Sequence, residues 1–186
     1  PKLLTGGGDF IDDDNAHGQL HGFMVRSPHA HADIVSIDVT AALAAPGVVG
    51  VYTGGQYKDA GWGAIPHIGP PVKRRGGADF ILPEFWPVAV DRVRMVGEGV
   101  AFIVAETIAQ GRDASELVEI EYAPLPASAD TAAALNDDAF VLWDDIGNNE
   151  ALVHEIGDRA ATEAAFAKAD HVIEQRFHIN RVLGNA

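Results

Sequence analysis

The feature that most constrains the fold is an apolar run over residues 100–105, followed first by a helix signal and then by a strand signal. A nearly continuous apolar run of this length is typical of a strand buried at the centre of a sheet. Thr107 can cap a helix over residues 108–118, and residues 119–122 alternate like a half-buried strand. The pattern predicts a strand–helix–strand unit in a mixed α/β or α+β fold, with Phe102 fully buried.

Three strands are predicted before this unit. Residues 19–26 and 32–39 are rich in apolar and β-branched residues and are separated by a turn signal, which favours a hairpin-like pair. Thr40 is the expected N-cap of a short helix over residues 41–45, which Pro46 must end because proline lacks the donor N–H. Residues 48–53 then form the third strand.

Glycine and proline interrupt every candidate element from Gly54 to Pro87, so this segment is predicted to be one long loop that covers a surface or contacts another polypeptide. Order returns at residues 88–90 and 93–97. Arg92 and Arg94 flank this strand signal and are expected to point outward. In the helix over residues 108–118, the expected buried face is formed by Ala109, Ala114, Leu117 and Val118.

The predicted domain organisation has four parts. Residues 1–14 form an N-terminal extension, residues 15–126 the main domain, residues 127–150 an acidic connector, and residues 151–186 the incomplete start of a further domain. In this last part we expect strands over residues 152–156 and 171–179 and a helix over residues 162–169. These elements are too few to bury a core of their own, so we expect the chain to be a fragment of a longer polypeptide.

Composition excludes several classes of protein. Hydrophobic residues make up 47% of the chain, as in folded proteins, and the formal net charge of −14 repels nucleic acids and anionic membrane surfaces. The chain has no cysteine, which excludes disulfides, iron–sulfur ligation and zinc sites built on thiolates. No apolar run approaches the ~18 residues of a membrane span and no signal peptide is visible, which predicts a cytoplasmic protein.

Two groups of residues invite a functional interpretation. His17, His21, His29 and His31 lie close together in sequence and could meet a divalent ion, although histidines in such a turn more often bond locally or face water. Glu98, between Gly97 and Gly99, could be a catalytic carboxylate. The favoured interpretation of Glu98 is a turn carboxylate that accepts backbone N–H bonds.

Three further motifs are weak. The run Gly6-Gly7-Gly8-Asp9 lacks the preceding strand, the following helix and the lysine of a phosphate-binding loop, and is expected to be a turn. Asp12-Asp13-Asp14 lacks calcium-loop spacing, and Lys73-Arg74-Arg75 is expected to face an acidic surface. No serine–histidine–acid set can be assembled, so no catalytic, cofactor-binding or metal-binding residue is assigned.

Several segments, in order, resemble the large subunit of the molybdenum hydroxylases, the family of xanthine dehydrogenase, aldehyde oxidase and the carbon monoxide dehydrogenase large subunit. The segments that carry the resemblance are residues 3–6, 12–13, 25–32, 34–38, 45–48, 92–98, 104–107 and 118–126. The likeness is greatest to the carbon monoxide dehydrogenase branch. Gly99 departs from the family pattern, which often has proline after Gly-Glu.

The resemblance implies that residues 15–126 form an α/β hammerhead domain and that residues 157–181 resemble the beginning of the molybdopterin-binding domain. It implies a parent enzyme that oxidises an aldehyde, an N-heterocycle or carbon monoxide with oxygen from water. It also implies a molybdopterin cofactor bound beyond Ala186, with iron–sulfur and FAD subunits or domains as partners besides the rest of the large subunit. The fragment itself would be an inactive scaffold. The alternative is a stand-alone hammerhead module that acts in assembly, and metal storage by the four histidines is a third possibility.

Overall fold

The computed structural model describes residues 2–66, 73, 74, 77, 79 and 81–177, without the side chain of Asp12. The strands are β1 (His21–Arg26), β2 (Ala32–Asp38), β3 (Val48–Thr53), β4 (Arg92–Val93), β5 (Gly99–Ala105) and β6 (Glu119–Pro124). The helices are α1 (Thr40–Leu43), α2 (Gly54–Asp59), α3 (Ile108–Ser115) and α4 (Arg159–Phe166), with short 3₁₀ turns at Lys2–Thr5, Ile11–Asp13 and Ala133–Leu135.

The strands form two three-stranded antiparallel sheets, which confirms a mixed fold of strands and helices. The β5 sheet has the order β1-β5-β3, and the β2 sheet has the order β4-β2-β6. The predicted hairpin between the first two strands is wrong, because β1 pairs with β5 whereas β2 pairs with β4 and β6. Pairing with the apolar strand β5 places β1 beside the buried centre of a sheet, which pairing with its sequence neighbour β2 would not do.

One face of the β5 sheet carries the first core. Its buried residues include Ala101 and Ile103 of β5, Val51 of β3, Ala42 of α1 and Ala114 of α3. Ile103 is fully buried, as expected for the central strand.

Helix α3 packs through only part of the predicted face, since Ala114 is buried and Val118 packs against the core as expected. Gly111 and Ala114 are buried, whereas Ala109 and Leu117 are exposed, and the helix ends at Ser115. A Cβ at Gly111 would lie 3.0 Å from Cβ of Phe23, so the small residue allows α3 to approach β1 closely. The apolar pattern found Ala114 but missed Gly111, because a glycine carries no hydrophobic signal and is selected here by the close approach of two backbones.

The opposite face of the β5 sheet carries Phe102. The expectation that Phe102 is fully buried is wrong, since it is only half-buried and Ile103 fills the core instead. Successive side chains of a strand point to opposite faces, and only one face of this sheet is covered by α1 and α3.

The β2 sheet shares a second core with the first residues of β5. The buried residues are Ala32, Ala89, Val93 and Val100, and Ile34, Ile120 and Tyr122 pack around them. Residues 88–90 are not a strand, but Ala89 is held by a hydrogen bond from its backbone N–H to the carbonyl of Gly99 (2.8 Å).

Two local expectations are also corrected. Thr40 is the first residue of α1 and not its cap, and the carboxylate of Asp38 accepts from the Thr40 N–H (2.8 Å). Hydrogen bonds with the side chain of Thr40 and then with its backbone lower the pKa of Asp38. The segment from Gly54 to Pro87 begins with α2, whose cap is Thr53. Part of the remaining segment, residues 67–72, 75–76, 78 and 80, lies outside the described residues.

The C-terminal part contains a single described helix. It begins at Arg159, earlier than predicted, because the Asp158 carboxylate accepts from the Ala161 N–H (2.9 Å) and caps it. No strand forms over residues 152–156 or 171–177, and the predicted strand to residue 179 extends outside the described residues. Strands need a partner for their backbone groups, and the described residues offer none there.

Candidate functional site

The site begins at the tight turn before β5. Gly97 has a φ of +84°, a conformation that favours glycine, and the backbone of Ser27 exchanges hydrogen bonds with the Gly97 N–H and the Glu98 carbonyl, both 2.8 Å. Glu98 is 7% exposed, and its carboxylate accepts from the Arg94 N–H at 2.6 Å. This confirms the interpretation of Glu98 as a turn carboxylate.

Arg92 joins this turn region to the acidic connector. It lies opposite Asp33 across the β4–β2 pair, and its Nε donates to the Asp33 carboxylate at 2.5 Å. Its Nη1 donates to the carboxylate of Asp144 at 3.0 Å. The hydrogen bond that Arg92 donates to Asp33 is the main cause that raises the pKa of Arg92. Arg92 therefore holds the β2 sheet and the connector together.

Arg94 makes a second junction with the connector. Its Nε donates to the carbonyl of Leu142 at 3.2 Å, and its guanidinium lies 5.2 Å from the centre of the Trp143 ring. Burial lowers its pKa, the direction that desolvation imposes on a cation. The prediction that Arg92 and Arg94 point outward is wrong, because both side chains are partly buried against residues 140–145.

The connector holds its own shape through Asn149. Its side-chain amide donates to the carbonyls of Ala134 (2.9 Å) and Phe140 (2.8 Å), and its Oδ1 accepts from the Leu142 N–H (3.0 Å). Since one amide uses both donors and its acceptor, three points of an irregular segment are held together.

A cavity of about 500 Å³ lies between the connector and the segments that precede β2 and follow β4. Its walls are mainly apolar, and His31, Met95, Arg94, Phe140 and Trp143 contribute to them. His31 is buried, its Nδ1 lies 2.8 Å from the carbonyl of Pro126, and its ring stacks on Phe140. A carbonyl can only accept, so Nδ1 carries the hydrogen. These contacts of His31 join the segment before β2 to the connector.

The four histidines do not form a metal site in the described part of the chain, where no group of three or more His, Cys, Asp or Glu side chains is placed to hold a metal ion. His17 is exposed and His21 opens β1. His29 contacts the ring of Tyr122, with 4.7 Å between the ring centres. His29 and His31 instead make contacts with residues far along the chain, His29 with Tyr122 and His31 with Pro126 and Phe140.

The weaker motifs make local contacts, except for Arg74. Gly7 donates its N–H to the carbonyl of Lys2, and the Asp13 carboxylate accepts from the Phe10 N–H at 3.0 Å. Lys73 pairs with Asp79, which lowers the pKa of that aspartate. Arg74 pairs with Glu150 of the connector at 3.2 Å, while Arg75 lies outside the described residues.

Sequence reasoning missed the residues that anchor the connector. Phe140, Trp143 and Asn149 drew no attention within an acidic, alanine-rich segment. The sequence did contain a signal, because Phe140 and Trp143 lie close to Asp144. Aromatic rings and carboxylates are the side chains that bind arginines such as Arg92 and Arg94.

Among the described residues, no helix combines the length and the apolar composition that a membrane span requires.

Comparisons of the sequence with known proteins agree on one family. A sequence model of the aldehyde oxidase and xanthine dehydrogenase a/b hammerhead domain matches residues 5–126. The chain is 35% identical to the carbon monoxide dehydrogenase large chain of Afipia carboxidovorans, over 97% of this chain and 22% of that protein. It is 39% identical to the gamma subunit of the 6-hydroxypseudooxynicotine dehydrogenase complex of Paenarthrobacter nicotinovorans, over 98% of this chain and 22% of that subunit.

Solved structures give the same result. Reconstituted CO dehydrogenase from Oligotropha carboxidovorans superposes with a TM-score of 0.73 and 35% identity, over 91% of this chain and 21% of that one. Quinoline 2-oxidoreductase from Pseudomonas putida 86 superposes with a TM-score of 0.68 and 38% identity, over 80% of this chain and 18% of that one. The chain thus spans about a fifth of the length of the curated relatives it matches.

Proposed function

The chain belongs to the aldehyde oxidase and xanthine dehydrogenase a/b hammerhead family, and on that premise we propose that it is the hammerhead region of the large subunit of a molybdenum hydroxylase. The observation that carries the proposal is the near-complete match of this chain to a fifth of two large relatives. The two sheets, their helices and the docked connector supply a rigid scaffold, and no catalytic residue is assigned within it.

The proposed reaction of the parent enzyme is the oxidation of an aldehyde, an N-heterocycle carbon or carbon monoxide with water as the oxygen source. Relatives named for carbon monoxide and for quinoline both match the chain, so the proposal stays at this substrate class. The proposed partners are the rest of the large subunit and iron–sulfur and FAD subunits or domains. Since this chain has no cysteine, thiolate ligands of an iron–sulfur centre would come from elsewhere.

We infer that the described residues of this chain do not hold a molybdenum cofactor. Where the structure describes the chain, no group of three or more metal-ligating side chains is placed to hold a metal ion. The cavity beside the connector is mainly apolar, and Arg94 in its wall is already engaged by Leu142 and Trp143. We assign the cofactor to the part of the parent subunit beyond Ala186 and derive no reaction step on this chain. The cytoplasmic location stays a prediction.

The mass of the native polypeptide tests the proposal. Source-cell extract would be blotted with an antibody raised against these 186 residues, and the captured protein assayed for molybdenum. A band several times larger than 19.7 kDa that co-purifies with molybdenum is the expected result. A band at 19.7 kDa without the metal would overturn it and favour the stand-alone assembly module.

We also propose the domain boundary after Pro126. Deletion of residues 127–186 removes Trp143 and Asp144 but leaves both cores, so a cooperative urea-unfolding transition should remain at a lower midpoint. Loss of the transition would show that the connector belongs to the folding unit and would move the boundary.

A further inference from the structure

The outward face of the β5 sheet is built almost entirely from apolar side chains and glycine. An antiparallel sheet with one face in water usually alternates apolar and polar residues along each strand. Here the outward positions of the two central rows, read across β1, β5 and β3, are apolar or lack a side chain. They are Gly22, Val104 and Gly50 in one row and Met24, Phe102 and Tyr52 in the next.

The glycines of these rows make the surface flat. A Cβ at Gly22 would lie 2.4 Å from the ring of Phe102, and a Cβ at Gly50 would lie 2.8 Å from the hydroxyl oxygen of Tyr52. Both aromatic rings therefore lie over glycine positions on the edge strands. The resulting flat surface of Met24, Tyr52, Phe102 and Val104 is named the aromatic face.

The aromatic face is open in the described structure. Helices α1 and α3 pack on the opposite side of the sheet, against Ala101 and Ile103. Tyr52 is 53% exposed, and Met24, Phe102 and Val104 are half-buried by one another and by the sheet. A contiguous apolar surface without charged residues marks a contact site more often than a solvated surface.

Length and charge indicate what covers the aromatic face. The chain spans 22% of its curated relatives, so on the proposed function most of the parent polypeptide lies outside it. Two copies of the chain would each bring a net charge of −14, and their mutual repulsion opposes self-association. We infer that the aromatic face is the docking surface for an apolar patch on the remaining polypeptide of the parent subunit; this inference rests on the proposed function.

Hydroxyl-radical footprinting read by mass spectrometry tests the inference. Oxidation of Tyr52 and Met24 is measured in the 186-residue chain and in the intact parent subunit. We expect about tenfold or greater protection in the parent, since the core of a packed interface excludes water. Equal oxidation rates in the two proteins would overturn the inference.

A matched pair of variants gives a second readout. Tyr52→Lys places a cation on the aromatic face, and Val35→Lys makes the same charge change on the β2 sheet, where Val35 is 57% exposed. In the 186-residue chain Val35→Lys should keep the wild-type unfolding midpoint, and Tyr52→Lys should lower it slightly through the lost contact with Gly50, which sets the baseline for the parent. In the parent subunit, Tyr52→Lys should lower the midpoint and restore oxidation of Met24, while Val35→Lys should do neither. Equal effects of the two variants in the parent would contradict the inference.

The outcomes separate the inference from the proposed function. A native polypeptide of 19.7 kDa would overturn both. A long parent in which Tyr52 reacts as in the short chain would overturn only the docking surface. Protection of Tyr52 that rises with the concentration of the short chain would also overturn it, because the occupant would then be a second copy.

Discussion

The two-sheet region over residues 21–126 and the tail over residues 152–177 contain similar local signals but differ in burial. Helix α3 in the first region and α4 in the second are both eight residues long, and a side-chain oxygen caps each at its N-terminus. Yet α3 buries Gly111 and Ala114, whereas every residue from 154 to 177 is exposed. Local signals place a helix, and only a covering surface turns it into part of a core.

The connector shows what covering requires. It is more acidic than the tail and has less regular structure, but Arg92, Arg94 and His31 each find a partner in it. In the tail, Phe166 of helix α4 is 60% exposed, and the described part of the chain offers no such partner to it. Four tests compare these regions, in order from the largest expected effect on stability to the smallest.

The same isoleucine-to-alanine change should cost much stability in the two-sheet region and almost none in the tail. Ile103→Ala removes a fully buried side chain of β5 and should cost about 2–5 kcal/mol of unfolding free energy. Ile173→Ala, at a side chain that is 92% exposed, should change it by less than about 0.5 kcal/mol. Urea unfolding measures both, and similar losses would mean that the tail is part of the same cooperative core.

Arginine removal sharpens the contrast between connector and tail. Arg94→Ala deletes the contacts to Leu142 and Trp143 and should cost about 1–2 kcal/mol. Arg159→Ala breaks only the exposed pairs with Glu155 and Glu163 and should cost less than about 0.5 kcal/mol. Cleavage of the connector by an Asp-specific protease should accelerate in Arg94→Ala alone. Unchanged cleavage would show that Arg94 does not hold the connector.

The two helix caps give a smaller pair of effects. Thr107→Ala removes the acceptor for the Gln110 N–H and should cost about 1 kcal/mol of global stability, because α3 packs on the β5 sheet. Asp158→Ala removes the equivalent acceptor of α4 and should lower helicity in circular dichroism without moving the unfolding midpoint. A shifted midpoint for Asp158→Ala would indicate that α4 contributes to the folded core.

Alkaline pH should act on the two-sheet region through Tyr122. Burial raises the pKa of Tyr122, and a hydrogen bond with the side chain of Ser27 lowers it by a smaller amount. As pH rises, the phenol of Tyr122 therefore ionises first in the unfolded chain. Stability should be complete below about pH 10 and fall as pH rises through the folded-state pKa. Tyr122→Phe should weaken this fall in urea unfolding at pH 9 and 11. An identical fall in both proteins would mean that Tyr122 does not cause it.

How far the sequence predicted the site depended on the range of the interaction. Glu98 was interpreted correctly because its partner, the Arg94 N–H, lies within the same turn. The partners of Arg92 and Arg94 were missed because Asp144, Leu142 and Trp143 lie some fifty residues further along the chain. Phe102 and Ile103 are both large and apolar, and only the position of α3 decides which of them is buried.

The sequence by itself determined the elements whose energies are local. The apolar strand β5, the helix capped by Thr107, the break at Pro46 and the resemblance that named the family all follow from neighbouring residues. Only the tertiary structure decided that β1 and β2 enter different sheets, that α3 approaches through Gly111, and that the connector docks on two arginines. These outcomes depend on pairing and close packing between distant segments, whose free energies no local pattern encodes.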